Sequence, residues 1–195
     1  SYKIGDSAVL NTVIKIFKEY NFCVVSPFKY SDEFKLRACN MSSVYPGEDM
    51  VDIKKSSNLL NAISKFDNAQ SIVIVNGYII AIEAVEGTDA MLQRVRKIRK
   101  NIGQLINKAG FLVKKPKSNQ SKLIDLPVIG PKTIRLVKKA NLKGIAIDYQ
   151  NTLVYRKDNV LTLRSLHWWV KQDIPLEEYR DIIKNSLEDK INTSL

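Results

Sequence analysis

Between Ile72 and Leu92 the chain reads IVIVNGYIIAIEAVEGTDAML, two β-rich apolar runs split by Asn76-Gly77 and followed by a polar segment broken by glycine. Asn-Gly tolerates the positive φ angles that a two-residue type I′ turn demands, so the pattern predicts a β-hairpin. The second run, Tyr78 to Val85, stays apolar until Glu83 and predicts a buried strand with carboxylates at its exit. Gly87 permits a sharp change of direction, and Thr88 or Asp89 can cap a helix carrying Met91, Leu92, Val95 and Ile98. A helix N-terminus behind a glycine is a natural anion site. Glu83, Glu86 and Asp89 read either as a polar strand exit with a helix cap or as hard oxygen ligands for magnesium beside a phosphate. Residue types alone leave both readings open.

Downstream, helix and strand patterns alternate. Phe111-Leu112-Val113 predicts a strand running into Lys114-Lys115-Pro116-Lys117, where a lysine can meet phosphate oxygens as a point charge or simply face solvent. Leu123-Ile124-Asp125-Leu126-Pro127 predicts an apolar strand containing one carboxylate, and a buried carboxylate calls for a partner. Gly130-Pro131 opens a helix with Ile134, Val137 and Ala140 on one side. Gly144 to Ile147 and Thr152 to Tyr155 predict two further strands, and Asp158 a helix through Leu166. Such alternation predicts an α/β domain whose site gathers at loops leaving the strands.

Ahead of the hairpin, Leu10, Val13, Ile14 and Phe17 line one face of a helix begun by Asp6 or Ser7. Phe22 to Val25 predicts a short strand stopped by Pro27, then a loop from about Tyr30 to Gly47. Glu48 or Asp49 opens a helix with Val51, Leu59, Leu60 and Ile63 on its apolar side. After Trp168-Trp169-Val170, the segment from Pro175 to Ile191 places Leu176, Tyr179, Ile182, Ile183 and Leu187 at helical spacing. That suits a terminal helix packed on the domain or bound to a partner.

A net charge of +11 over 195 residues admits nucleic acid, an anionic membrane or an anionic substrate as partner. The lysines are spread along the chain, and the clusters at Lys114–Lys117 and Lys138-Lys139 carry no interleaved aromatics, which disfavours nucleic acid. Cys23 and Cys39 lack metal-ligand spacing and are expected to be reduced cytoplasmic thiols. A single histidine, His167, excludes a histidine cluster and reads as structural, so zinc chemistry is disfavoured.

IEAVEGTDAML, then KKPK, IDLPVIGPKT and NLKGIAID, in that order, resemble the C-terminal domain of the LpxI family, the UDP-2,3-diacylglucosamine pyrophosphatases of lipid A synthesis. The resemblance is dense from about Asp67 to Asp158 and thins back towards Gly5-Asp6. It implies an α/β fold, a mixed sheet with flanking helices, forming the catalytic domain of a two-domain enzyme whose Rossmann-like N-terminal domain is absent ahead of Ser1. Residues 1–30 would then be an interdomain helix and first strand, 31–170 the catalytic domain, and 171–195 a divergent helix.

The implied activity is hydrolysis of UDP-2,3-diacylglucosamine to UMP and 2,3-diacylglucosamine 1-phosphate, with Asp125 of the DLP motif in the chemistry. Magnesium would be held by some of Glu83, Glu86, Asp89 and Asp125, and phosphate by Gly87, Thr88 and one or two of Lys114, Lys115 and Lys117. The acyl groove would lie between the two domains, and the location would be cytoplasmic with peripheral contact at the inner membrane. The sequence departs from the family pattern at Pro27-Phe28-Lys29, where many relatives carry a histidine, and at Ala69, where a glycine is common. The alternative is an α/β module that binds phosphates, nucleotides or anionic lipid without turnover.

Overall fold

The computed structural model describes residues 6–30, 49–103, 107–117, 121, 123–148, 150–155 and 167–170, with 6–8, 30 and 167–170 described by backbone alone. One of its interior strands is β1 (Ser71–Val75), every residue of which is buried. β1 pairs antiparallel with β2 (Tyr78–Ile82) on one side and with β3 (Phe111–Lys114) on the other. β3 then pairs in parallel with β5 (Gly144–Ile147), and β5 with β7 (His167–Val170), giving a mixed sheet in the order β2-β1-β3-β5-β7. Two short strands, β4 (Val128–Ile129) and β6 (Leu153–Val154), form a separate parallel pair.

Alternation along the strands divides the core in two. Val73, Val75, Leu112, Ile145 and Ile147 face α4 (Gly87–Asn101) and α5 (Pro131–Lys139), meeting Met91, Leu92, Val95, Ile134 and Val137. Ile72, Ile74, Phe111, Val113 and Ala146 face the other way, against Ile53 and Leu60 of α3 (Asp49–Ser64). Each large side chain so buried contributes about 1.5–3 kcal/mol. The expected α/β architecture, a mixed sheet with flanking helices, is present.

The hairpin turn has the predicted chemistry, with Asn76 at φ 48° and Gly77 at φ 81°. It is also gripped from α3, where Asp52 Oδ2 accepts the Gly77 amide at 3.0 Å and Lys55 Nζ donates to the Gly77 carbonyl at 2.7 Å. The second strand departs from expectation. β2 stops at Ile82 and occupies the sheet edge, leaving Tyr78 75% exposed. An apolar run from Tyr78 to Val85 is compatible with a strand covered on both faces, but it is the interior strands β1, β3 and β5 that are placed to be covered that way.

Other differences have local causes. Phe22 to Val25 form no strand, because Phe22 completes the end of α1 (Asp6–Glu19). Asn21 takes φ 60°, its amide donates to Lys18 O at 3.0 Å, and Phe22 donates to Phe17 O at 2.9 Å. The Phe17 and Phe22 rings meet edge to face at 6.0 Å, the apolar contact of a Schellman motif. Pro27–Tyr30 form a single helical turn, α2. On α3, Val51 is 70% exposed and the inward face is Asp52, Ile53, Ser56, Ser57, Leu60 and Ser64. The predicted strand across Asp125 is a turn at 123–124 followed by irregular backbone, and only Val128–Ile129 are extended and paired. The expected loop at 31–48, the helix at 158–166 and the C-terminal helix lie outside the described residues.

Buried Arg99 ties the helical layer together. It donates from Nη1 to Ala140 O at 2.5 Å and to Asn141 O at 2.9 Å, and from Nη2 to Asn107 O at 2.8 Å. Ala140 is the C-cap of α5, so the guanidinium meets the negative end of that helix. Burial pushes its pKa down, but a guanidinium starts so high that it stays charged.

Candidate functional site

At one edge of the main sheet, Ser71 of β1 lies opposite Lys114 of β3, which lies opposite Ile147 of β5. The Glu83 amide donates to Ser71 O at 2.9 Å, bringing the exit from β2 to the same edge. The parallel strands β3 and β5 both end there, and α4 begins a few residues after β2. Carboxyl ends of parallel strands are where ligands of α/β sheets gather.

The cluster centres on the Thr88 hydroxyl. It accepts from Lys114 Nζ at 2.7 Å, donates to Glu83 Oε1 at 3.0 Å, and lies 3.1 Å from Ser71 Oγ. A hydroxyl has one proton and two lone pairs. With its proton directed at Glu83, the Ser71 hydroxyl must be the donor of the remaining bond, and the Thr88 oxygen is then saturated. Thr88 therefore positions its neighbours and has no bonding capacity left for a ligand.

Lys114 is the unusual member, 5% exposed at the end of a strand. Burial holds its ammonium below the ordinary lysine range, while the nearby negative charges of Glu83 and Asp89 oppose that shift. An ammonium has three donors, and Thr88 takes one. Glu83 has a buried Oε2 without a hydrogen-bond partner among the described residues. A partly buried cation with donors to spare beside an unsatisfied carboxylate oxygen is a place for a polar ligand.

The other sequence-selected residues separate. Strand parity puts Lys114 on the α4 side with Leu112, and sends the next residue to the α3 side. Lys115 accordingly bonds Asn61 Oδ1 on α3, and Lys117 donates to Asp67 Oδ1 at 2.9 Å and to Asp67 O at 3.0 Å. Gly87 opens α4 at φ 77°, where an added Cβ would meet nothing within 4 Å. The N-cap is Glu86, without a side-chain cap bond, and neither Thr88 nor Asp89 caps the helix. Both side chains are drawn away into contacts between elements. Asp89 accepts from Thr133 Oγ1 at 2.9 Å and pairs with Lys132 at 3.1 Å, holding the first turns of α4 and α5 side by side.

Glu86 pairs with Arg94 at 2.5 Å and accepts the Ala84 amide at 3.1 Å. The Arg94 guanidinium, with backbone donors, holds the Glu86 carboxyl below the usual carboxylate range. Asp125 is half-buried, its amide donates to Ser121 O at 3.1 Å, and its carboxylate has no bonding partner among the described residues. Among the described residues no group of three or more acids, histidines or cysteines is gathered to hold a metal ion. Glu83, Glu86, Asp89 and Asp125 as they stand thus do not fit a preassembled magnesium site.

Sequence reasoning missed Ser71, Arg94, Lys132 and Thr133. Ser71 was within reach, since it shares strand parity with Val73 and Val75 and so had to face α4. Lys132 and Thr133 depend on how α4 and α5 dock, and Arg94 on how α4 turns back towards the end of β2, where it meets Glu86 and the Ile82 carbonyl; no local pattern carries either.

The fold and cluster define an α/β domain with a mixed sheet and a polar, lysine-bearing site at the carboxyl ends of its parallel strands. The model of the LpxI C-terminal domain matches residues 38–167, and the chain belongs to that family. It is 35% identical over 159 residues to the UDP-2,3-diacylglucosamine pyrophosphatase LpxI of Caulobacter vibrioides, an alignment covering 80% of this chain and 57% of the relative. The chain thus spans little more than half the length of that relative. No helix among the described residues is long and apolar enough to cross a membrane.

Proposed function

We propose that this domain supplies the phosphate-handling residues of a UDP-2,3-diacylglucosamine pyrophosphatase. In this reading water attacks a phosphorus of the pyrophosphate, the bridging P–O bond breaks, and UMP and 2,3-diacylglucosamine 1-phosphate leave. The observation that carries the reading is Lys114, a buried ammonium with unused donors at the carboxyl edge of the sheet, in a chain of this family. Its charge would offset that developing on the phosphoryl oxygens, while Thr88 and Glu83 hold the ammonium in place. The first-turn amides of α4, from Gly87 onward, add dipolar support for an anion. Asp125, with its carboxylate uncommitted among the described residues, would accept a proton from the attacking water and orient it.

The exposed Val9, Val13, Ile16 and Phe17 on α1 support the packing of a further, Rossmann-like domain of the same protein against this helix, with the acyl groove at that junction. Lys114→Met should weaken binding of UMP by about 10–100-fold, the worth of a charge-assisted hydrogen bond, with the circular dichroism spectrum preserved. Unchanged affinity in a folded variant would remove Lys114 from the site. The coverage of 57% of the relative favours a second reading for this chain taken alone, in which it binds the nucleotide lipid without turning it over. Binding that survives EDTA, with no UMP released, distinguishes that case.

A further inference from the structure

On the outer side of the helical layer, α4 and α5 enclose a cleft of about 440 Å³ lined by Leu92, Gln93, Arg96, Lys97, Lys100, Leu136 and Lys139. Among the described residues no carboxylate lines it. The only acid in either helix is Asp89, at the opposite end of α4 and already engaged with Thr133 and Lys132. Arg96, Lys97, Lys100 and Lys139 are exposed and form no ion pair with any described residue. Four like charges converging without compensation among the described residues repel one another and lower stability, so an added counter-charge would be favoured.

From these features we propose that the α4/α5 face docks on the anionic headgroups of a phospholipid bilayer. Charge complementarity comes first: three lysines and an arginine on a shared face suit the diffuse negative potential of such a surface. Neither helix contains an aromatic residue, so the stacking platform that single-stranded nucleic acid requires is absent. Leu136, partly buried at the cleft, adds apolar contact beside the charges. The cations stand on the second half of α4 and the last turn of α5, whereas Lys114 and Thr88 sit by the helix N-termini. Docking therefore leaves the candidate site uncovered. That this surface serves a lipid-directed enzyme rests on the function proposed above, but vesicle binding is measured without substrate and stands or falls separately.

The experiment is co-sedimentation of the chain with phosphatidylcholine vesicles, with and without phosphatidylglycerol, at low and high salt. The expected result is retention on the phosphatidylglycerol vesicles alone, lost at high salt. A Lys97→Gln/Lys100→Gln/Lys139→Gln variant with an unchanged thermal melt should bind about a hundredfold more weakly, each charge near an anionic surface being worth about fivefold. A matched variant at Lys15, Lys18 and Lys29, basic positions on α1 and α2 that do not line the cleft, should bind as the parent does. Equal binding by the two variants would overturn the assignment, as would failure of the parent to sediment with anionic vesicles. Retention on duplex DNA without retention on vesicles would give the face to nucleic acid instead.

Discussion

Gly110 stands where the chain enters β3, at φ 77° and buried. A Cβ built there would lie 2.1 Å from Ile74 O, 2.5 Å from Val75 Cγ2 and 2.8 Å from Val75 Cα. Two of those three atoms are backbone of β1, so no rotamer relieves the overlap. Gly110→Ala would incur about 1–2 kcal/mol for a left-handed alanine. Overpacking adds about 1–3 kcal/mol as β1 and β3 are forced apart. The sum, about 2–5 kcal/mol, is a large part of the ~5–15 kcal/mol that stabilises an ordinary domain. Urea denaturation followed by circular dichroism should show a lower midpoint at unchanged slope, and the melting temperature should fall by about 5–15 °C. Gly103 provides the control, with φ 69° but nothing within 4 Å of its Cβ position. Gly103→Ala should show the conformational part alone, about 1–2 kcal/mol. If the two substitutions cost the same, the close approach of strand β1 to Gly110 is wrong.

Asp52→Ala removes the acceptor for the Gly77 amide and should destabilise by about 1–2 kcal/mol, read as a shift in the urea midpoint, with faster hydrogen exchange in the hairpin turn. Arg99→Met leaves the carbonyls of Asn107, Ala140 and Asn141 without their guanidinium donor and should cost about 2–4 kcal/mol in the same assay. Lys114 should carry a pH signature. Burial holds its folded pKa below the ordinary lysine value of about 10.5, so between the two the unfolded chain binds more protons than the folded one. Stability from this group therefore rises with pH across that window, and below it the full desolvation penalty is present. The stability of Lys114→Met relative to the parent should accordingly fall as pH rises through that window, and a difference independent of pH would show that the ammonium is not buried.

Local chemistry made the hairpin and both helical faces of the α4/α5 layer readable. Asn76-Gly77 can hardly form anything but a tight turn between such runs, and Met91, Leu92 and Val95 repeat at helical spacing. Partnership was harder to read. The run from Tyr78 to Val85 does not reveal that its strand lies at an edge, since edge position depends on which strands pair elsewhere. Phe22 to Val25 is β-like by composition, yet Phe22 gains more by closing α1. Asp125 is singled out by the DLP resemblance, but it lies in irregular backbone after a turn at 123–124, because Pro127 and the short β4 pair leave no ladder for a longer strand. Lys114 was legible as a phosphate candidate, and strand parity alone would have separated it from Lys115. The pairing of Asp89 with Thr133 joins residues 44 positions apart and could not be read locally.

The most direct test of the proposed function is UMP release from UDP-2,3-diacylglucosamine by this chain and by the protein with whatever sequence is encoded ahead of Ser1. Each would be run with magnesium or EDTA beside its Asp125→Ala variant. The account predicts release by the longer protein that the substitution abolishes while the folded spectrum is kept. Undiminished release by the folded Asp125→Ala protein would contradict the role given to Asp125, and no release by the folded parent under either condition would contradict the pyrophosphatase assignment.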